Sequence, residues 1–341
     1  KLKNCPILNY KGEKCHALKV RKLWRHKLII YESLEDIKKI GETAVALGNF
    51  DGVHLGHQKL IKEMVDCAKS RRLKSLVFTF SNHPKDLLPG VAKVKNILYQ
   101  NEKAEIVKSL GVDYLVNIPF THEIMTMIPK DFIEKILLDR FNMKAAFCGF
   151  NYRFGLRAAG NPKVLIEFGR KNGFTVSEME PFKINDNIVS SSMIRTLIAS
   201  GQVERCETYM GRNYEIGGEV VVGNRLGRKL GFPTSNLVID ETMVTPPNGV
   251  YVTYVDYNGK RYPSVTNVGT KPTVGEYEKN VETHIFDFDK ELYGKRIIVE
   301  FLKKTRDEVK FDDFQELSDQ IVRDCKEAKE FHNNLKKRGK L

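Results

Sequence analysis

The sequence has no long apolar stretch and no paired cysteines. None of its hydrophobic runs approaches the ~20 consecutive apolar residues that a membrane-spanning helix requires, and it has no low-complexity tract. The six cysteines are scattered without a CxxC pair, which is typical of reduced thiols in a cytosol and unlike a disulfide framework. No apolar segment of the signal-peptide kind lies near residue 1. We therefore expect a cytoplasmic globular protein with no membrane partner.

Positive charge is concentrated at the two ends of the chain. Residues 1–28 hold nine Lys/Arg and one Glu, and the last six residues hold four more Lys/Arg. These ends account for +8 and +4 of the formal net charge of +13, so the body between them is nearly neutral. Nucleic-acid-binding domains carry a basic patch on the folded body. We therefore expect no nucleic-acid partner, and we expect residues 1–28 to be an irregular basic extension.

Apolar β-type runs alternate with amphipathic helical patterns from about residue 29 to residue 185. The predicted strands are 43–50, 75–80, 114–120, 145–152 and 174–179, and the predicted helices are 57–72, 101–111 and 129–141. This alternation indicates an α/β domain with a parallel sheet covered by helices on both faces. Ligands in such sheets bind at the carboxyl ends of the strands, where this chain places its polar motifs.

The pattern changes after a helical stretch at 191–211. Strands then follow one another without helices between them, and Asn258-Gly259 is a strong two-residue hairpin signal. Closely spaced antiparallel strands predict a small β-barrel or sandwich, closed by a final amphipathic helix. The expected organisation is an extension at 1–28, a first domain at 29–190, a helical linker at 191–211 and a second domain at 212–341.

The stretch GNFDGVHLGH at 48–57 is the first chemical signal. It places His54 and His57 three residues apart, on one face of a first helical turn that follows a strand. A helix N-terminus presents unpaired N–H groups and partial positive charge to an anion. Two imidazoles there can donate hydrogen bonds to phosphate oxygens, which suits nucleotidyl transfer without a protein nucleophile. The alternative for a single histidine in this position is a helix cap or a solvated side chain.

A second signal lies in GNRLGRKLGFPTSN at 223–236, which is neither a Walker A sequence nor GxGxxG. Spaced glycines alone usually mean a flexible loop. In the extended segment after Pro233, however, Thr234 and Asn236 face the same way and offer neutral oxygens suited to Mg²⁺ and phosphate. Farther on, Glu282 and His284 share one face of a predicted strand. Glu282 is either a general base or an exposed glutamate paired with a lysine.

These motifs together resemble prokaryotic bifunctional riboflavin kinase/FAD synthetases. The first half resembles the adenylyltransferase module through GNFDGVHLGH, FTFSNHP, GFNYRFG and VSSSMIR, and the second resembles the riboflavin kinase module through GFPTSN, PPNGVY, NVGTKPTVGE, VETHIFDF and LYGK. The resemblance covers about residues 29–330. It implies a Rossmann-like nucleotidyltransferase domain followed by a small antiparallel β-barrel.

The resemblance implies roles for residues of the first half. His54 and His57 would bind the ATP phosphates and stabilise the transition state, and Arg195 would hold the triphosphate with two serines. The residues that would line the ATP site or bind its phosphates are Asn49, Phe50, Asp51, Gly52, Asn151, Ser191 and Ser192. Relatives often carry Thr at the position of Ser192, where a hydroxyl is retained. Many carry Asp at the position of Asn151, which argues against a carboxylate ligand there.

In the second half, the resemblance makes Thr234 and Asn236 the Mg²⁺–ATP ligands and Glu282 the general base for the ribityl 5′-hydroxyl. The nucleotide-binding loop would comprise Gly227, Arg228, Lys229, Gly231, Phe232 and Pro233. The implied reactions are phosphorylation of riboflavin to FMN and adenylylation of FMN to FAD, both with ATP and Mg²⁺.

Two other functions compete with this one. In the first, only one half is active and the other binds flavin or regulates. In the second, the basic ends mark a non-enzymatic regulator that binds nucleic acid or flavin. The sequence leaves the oligomeric state open.

Overall fold

The computed structural model describes residues 27–38, 40–223, 227, 230–273 and 276–339, with backbone only at 271–278. Most of the predicted basic extension, and Arg228 and Lys229 of the predicted nucleotide loop, lie outside the described residues. Among the described residues, no helix is long and apolar enough to cross a membrane.

The first half of the chain forms a six-stranded parallel sheet in the order β1-β4-β3-β2-β5-β6. Its strands are β1 (Ile29–Tyr31), β2 (Thr43–Leu47), β3 (Lys74–Phe80), β4 (Tyr114–Ile118), β5 (Met143–Gly149) and β6 (Thr175–Met179). Every residue of β2 is buried, as expected for a central strand covered on both faces. The predicted parallel α/β sheet is confirmed, and β1 is an edge strand that the sequence did not signal.

Helices cover both faces of this sheet and bury two separate apolar clusters. They are α1 (Leu55–Arg71), α2 (Gln100–Ser109), α3 (His122–Thr126), α4 (Pro129–Asp131) and α5 (Pro162–Asn172). The segment Phe132–Arg140 continues α4 with wider π-type turns, so that the amide of Phe141 bonds to the carbonyl of Ile136. A predicted single α-helix at 129–141 is thus only partly α-helical.

The connection to the second half is a hairpin followed by three short helical segments. The hairpin consists of β7 (Lys183–Ile184) and β8 (Asn187–Ile188), and the helices are α6 (Ser191–Ala199), a 3₁₀ turn (Val203–Arg205) and α7 (Cys206–Met210). Gly201 adopts a left-handed φ of 79°, which ends α6. The helical stretch expected at 191–211 is therefore interrupted at this glycine.

The second half is a closed six-stranded antiparallel barrel in the order β10-β13-β12-β11-β14-β9. Its strands are β9 (Tyr214–Val221), β10 (Ser235–Val238), β11 (Gly249–Tyr257), β12 (Lys260–Thr273), β13 (Glu276–Ile285) and β14 (Arg296–Arg306). Asn258 and Gly259 join β11 and β12 with φ values of 52° and 76°, the left-handed pair of the predicted hairpin turn. The C-terminal helix (Phe314–Lys337) packs on β11 and β12.

The two halves share one continuous apolar core. A single cluster of buried side chains runs from Leu60 and Met64 of α1 to Tyr214 and Ile216 of β9. Backbone bonds also cross between the halves, since Asn96 donates to the carbonyl of Thr242 at 2.7 Å and accepts from Val244 at 2.9 Å. The barrel is therefore fixed against the sheet domain.

Two candidate functional sites

The first candidate site lies where β2 turns into α1, at the carboxyl edge of the parallel sheet. His54 is the N-cap of α1, and its Nδ1 accepts a hydrogen bond from the backbone N–H of His57 at 3.2 Å. In the neutral imidazole the proton therefore sits on Nε2, which is a donor. Gly56 leaves room for the imidazole, because a Cβ there would lie 3.2 Å from the His54 ring.

The two histidines are stacked on each other in a poorly solvated site. Their ring centroids are 3.6 Å apart with an interplanar angle of 19°. The rings of Phe50 and His57 meet in a T-shaped arrangement with centroids 5.1 Å apart. Burial, aided by the charge of Arg212, lowers the pKa of His54 to about 4. Burial and the neighbouring His54 and Lys103 hold the pKa of His57 well below its usual range. Both rings are therefore neutral hydrogen-bonding groups near pH 7.

The loop before His54 has a strained backbone. Phe50 has a φ of 42° and Val53 a φ of 34°, and positive φ in a β-branched residue is rare. Surrounding donors bond to its carbonyls: Thr79 to Asn49 at 2.8 Å, Ser191 to Asp51 at 2.7 Å, and Arg212 to Gly52 at 2.6 Å. Strain of this kind persists only where neighbours hold the backbone in place.

Asp51 and Arg195, both predicted to contact ATP, pair with each other. The carboxylate of Asp51 is 4% exposed and accepts from the Arg195 guanidinium at 2.6 Å and from the Ile97 amide at 3.0 Å. Arg195 also donates to the carbonyl of Lys95 at 2.7 Å. This ion pair connects α6 to the histidine loop. Arg195 therefore lies beside the site with its guanidinium held in place by Asp51 and Lys95.

The remaining predicted residues of this site are placed around the same edge. Phe50 is buried beneath the histidines, Ser192 is exposed at the start of α6, and Asn151 is exposed just after β5, the neighbour of β2. Ser191 uses its hydroxyl to bond the Asp51 carbonyl. The predicted residues thus lie along one edge of the sheet. Ser191 stabilises the loop backbone, whereas Ser192 and Asn151 are exposed to solvent.

Two residues near this site were missed in the sequence. Lys103 of α2 is 3% exposed, donates to the Phe80 carbonyl at 3.1 Å and has its pKa lowered by burial to about 8. His83 lies close enough to Arg195 and Asp51 to feel both charges. His83 belongs to the FTFSNHP motif, so the motif could have identified it as a site residue. Lys103 lies in an ordinary amphipathic helix, where nothing in the sequence marks it as part of a site.

The second candidate site lies on the outer face of the barrel, where β10 pairs with β13. Asn236 stands directly opposite Glu282 in the antiparallel register. Asn280 joins them, since its Nδ2 donates to the Glu282 carboxylate at 2.9 Å and to the Asn236 side-chain oxygen at 3.2 Å. Asn280 is thus a further residue of this site, and the sequence had no signal for it because polar residues are common in half-exposed strands.

The donors predicted to hold Mg²⁺ fit that ion. Thr234 and Asn236 supply a neutral hydroxyl and a neutral amide oxygen, which suits an ion that keeps its waters and phosphate ligands. The amide of Asn236 needs Gly223 beside it, because a Cβ on Gly223 would lie 2.6 Å from the amide atoms. In the described part of the chain, no group of three or more His, Cys, Asp or Glu side chains forms a metal site.

The end of the predicted nucleotide loop, at Phe232 and Pro233, packs against His284. The carbonyl of Gly227 accepts from Phe232 at 2.7 Å, and Gly231 has a left-handed φ of 83°. His284 lies 2.9 Å from the Pro233 carbonyl through Nδ1, and its ring meets Phe232 edge-on at 5.6 Å. The strand that carries Glu282 therefore also holds the end of the loop.

Comparison with known proteins assigns each half. A family model described as FAD synthetase matches residues 36–193, and one described as riboflavin kinase matches residues 210–332. The chain belongs to the bifunctional riboflavin kinase/FMN adenylyltransferase family. Its N-terminal part is the FAD synthetase domain and its barrel is the riboflavin kinase domain.

Curated relatives of this family match nearly their full length. The Bacillus subtilis bifunctional riboflavin kinase/FMN adenylyltransferase is 36% identical, covering 87% of this chain and 94% of the relative. The Haemophilus influenzae and Escherichia coli K12 enzymes of the same description are each 32% identical, covering 85% and 84% of this chain. A crystal structure described as a macrolide-efflux protein from Streptococcus pneumoniae has a TM-score of 0.80 and 31% identity, over 89% of this chain and 98% of that one.

Proposed function

We propose that the family's two reactions occur at the two sites described above, adenylylation at the histidine pair and phosphorylation at the β10–β13 face. The observation that carries this proposal is that each family segment contains one polar cluster suited to its own reaction. A neutral histidine pair lies at a helix N-terminus in the FAD synthetase domain. A carboxylate held by Asn280 lies opposite Asn236 in the riboflavin kinase domain.

In the adenylylation step, a phosphate oxygen of FMN forms a bond to the α-phosphorus of ATP. The bond between that phosphorus and the α,β-bridging oxygen breaks, and pyrophosphate leaves with the electron pair. The Nε2–H of His54 and the start of α1 donate hydrogen bonds to the phosphate oxygens as negative charge develops. Arg195, held by Asp51, adds a fixed positive charge at the same edge.

In the kinase step, the 5′-hydroxyl oxygen of riboflavin forms a bond to the γ-phosphorus of ATP while the bond to the β,γ-bridging oxygen breaks and ADP leaves. Glu282 accepts the hydroxyl proton as general base. The hydrogen bond from Asn280 fixes one carboxylate oxygen and leaves the carboxylate oriented on the outer face. Thr234 and Asn236 would hold Mg²⁺, which when bound neutralises phosphate charge.

We further propose domain limits of 29–190 and 212–341 with a linker at 191–211, in keeping with the family matches. The proposed partners are the small molecules ATP, riboflavin and FMN, without a nucleic acid. The proposed location is the cytoplasm, which the four free cysteines among the described residues support.

Two substitutions test the assignment of the sites. His57→Ala should abolish conversion of FMN to FAD and leave conversion of riboflavin to FMN within about twofold of wild type, whereas Glu282→Gln should do the reverse. Both conversions are followed by HPLC with ATP and Mg²⁺. The proposal fails for a site if its substitution leaves the corresponding product at the wild-type rate.

A further inference from the structure

Arg212 connects the riboflavin kinase segment to the histidine loop of the other domain. It falls within the riboflavin kinase match at 210–332, just before β9. Its guanidinium reaches back to the carbonyls of Gly52 at 2.6 Å and Val53 at 3.3 Å. Its Nη1 also lies 3.4 Å from the carbonyl of Met210. One side chain of the barrel segment therefore bonds to two consecutive carbonyls directly before His54.

The backbone that Arg212 holds is the strained part of the loop. Gly52 has a φ of 77° and Val53 a φ of 34°, and a β-branched residue in that region is strained. Gln58 provides a second link, because its amide donates to the carbonyls of Val53 at 2.9 Å and Met210 at 2.8 Å. The backbone that carries His54 is therefore held partly by Arg212, which lies outside the FAD synthetase segment, and Gln58 links the same backbone to Met210.

The charge of Arg212 acts on the same histidine. It opposes protonation of His54, whose other close titratable neighbour is His57. Glu215, Glu102 and Asp51 lie close enough to offset the arginine charge. A buried guanidinium balanced in this way keeps its proton and its fork of donors.

We infer that Arg212 is a positioning residue for FMN adenylylation, through which the riboflavin kinase segment holds the Gly52–Val53 backbone and thereby orients His54. This inference rests on the proposal that His54 and His57 bind the ATP phosphates. Arg212 does not touch the kinase cluster at Asn236, Asn280 and Glu282. We therefore expect its substitution to slow FMN adenylylation and to leave riboflavin phosphorylation unchanged.

The test compares Arg212→Met and Arg212→Lys with Arg205→Met in the full chain. Arg205 is a matched control, because it is an arginine of the same connection whose guanidinium, among the described residues, bonds to Gln202 and Tyr209 and not to the histidine loop. We expect Arg212→Met to lower kcat for FMN adenylylation by about tenfold or more, with riboflavin phosphorylation within about twofold of wild type. Arg212→Lys should recover part of the loss, since it keeps the charge but not the two-carbonyl geometry.

The pKa of His54 is a second readout, which separates a local effect of Arg212 on His54 from a general loss of protein stability. In protein labelled with ¹³C-histidine, NMR titration should show the pKa of His54 rising in Arg212→Met and staying unchanged in Arg205→Met. The inference is overturned if Arg212→Met adenylylates FMN at the wild-type rate. It is also overturned if Arg212→Lys loses both activities in parallel, which would mark a merely structural role.

His57→Ala in the same assay separates the proposed adenylylation site from the proposed role of Arg212. If His57→Ala retains FAD formation, the proposed adenylylation site itself is wrong. If His57→Ala abolishes FAD formation and Arg212→Met does not reduce it, only the role of Arg212 is wrong. Should Arg212→Met fail to fold, the comparison of the two activities in Arg212→Lys decides.

Discussion

His54 and His57 are neutral near pH 7, and the tautomer of His54 is set by its hydrogen bond to the backbone of α1. Burial, with the charge of Arg212 beside His54, lowers the pKa of both imidazoles and keeps the rings neutral near pH 7, and the Nδ1 of His54 already accepts a hydrogen bond from the helix N-terminus. The remaining ring nitrogen, Nε2, therefore carries the proton, and the tautomer of this donor is defined. A transition state with growing negative charge gains from such a donor without requiring a buried cation beforehand.

The depressed pKa of His54 predicts a pH-dependent stability. The pKa of His54 is about 4 in the folded protein and about 6.5 in the unfolded chain, so the unfolded chain binds more protons between these two pH values. The contribution of His54 to the free energy of unfolding is therefore fully present above about pH 6.5 and is lost as the pH falls toward 4. Between pH 7 and pH 5 this group alone should cost about 2 kcal/mol.

The comparison that isolates this contribution uses His54→Asn, because asparagine is a good N-cap and does not titrate. Urea unfolding of both proteins at pH 7 and pH 5 should show the wild type losing about 2 kcal/mol more than the variant. Equal losses in the two proteins would show that His54 is not held neutral by the fold.

The spacing of His54 and His57 at a strand-to-helix turn predicts that they share one face of the first helical turn, and the structure stacks their rings on each other. Their role with ATP stays a prediction. Lys103 and Arg212 were missed because their partners come from other elements, and Asn280 was missed because its contact with Asn236 depends on the pairing of two strands. The pairing of Arg195 with Asp51 was hidden for the same reason.

At the scale of elements, the register between β10 and β13 creates the kinase cluster. Four residues of β10 suffice, because the antiparallel pairing places Asn236 opposite Glu282 and leaves Asn280 two residues along the same face. So short a strand lacks the alternation that identifies longer ones, and the residues after Pro233 predict only an extended segment. The long hairpin strands, in contrast, were predictable from the Asn258-Gly259 turn.

Gly223→Ala should damage the kinase site through this element. A Cβ at this position would lie 2.6 Å from the Asn236 amide, so the amide must move away from Asn280 and the predicted Mg²⁺ position. A displacement of about 1 Å costs up to about a hundredfold in rate. We expect riboflavin phosphorylation to fall by about tenfold to a hundredfold, with FMN adenylylation unchanged.

Gly41→Ala is the matched control for that substitution, because a Cβ there meets nothing within 4 Å. Phosphorylation rates for both variants are measured at saturating ATP and over a range of Mg²⁺ concentrations. If Gly223→Ala keeps the rate of Gly41→Ala throughout, the packing of Gly223 against Asn236 has no part in the reaction.

Over the full chain, the change from alternating strands and helices to consecutive strands correctly predicts two different folds. The strand pattern alone leaves open a barrel or a sandwich, whereas the family resemblance implies a barrel, and the closure of β9 onto β10 and β14 confirms the barrel. The continuous core between the halves was not predictable, because it depends on contacts such as those of Asn96 and Tyr214 across the connection.

If one chain carries two chemically separate sites, with FMN as the product of one and the substrate of the other, two single-site variants should complement each other. His57→Ala and Glu282→Gln are incubated together with riboflavin, ATP and Mg²⁺, and flavins are separated by HPLC. We expect that neither variant alone forms FAD from riboflavin and that the mixture does, with FMN appearing first. A mixture that forms no FAD, although FMN accumulates, would contradict this expectation.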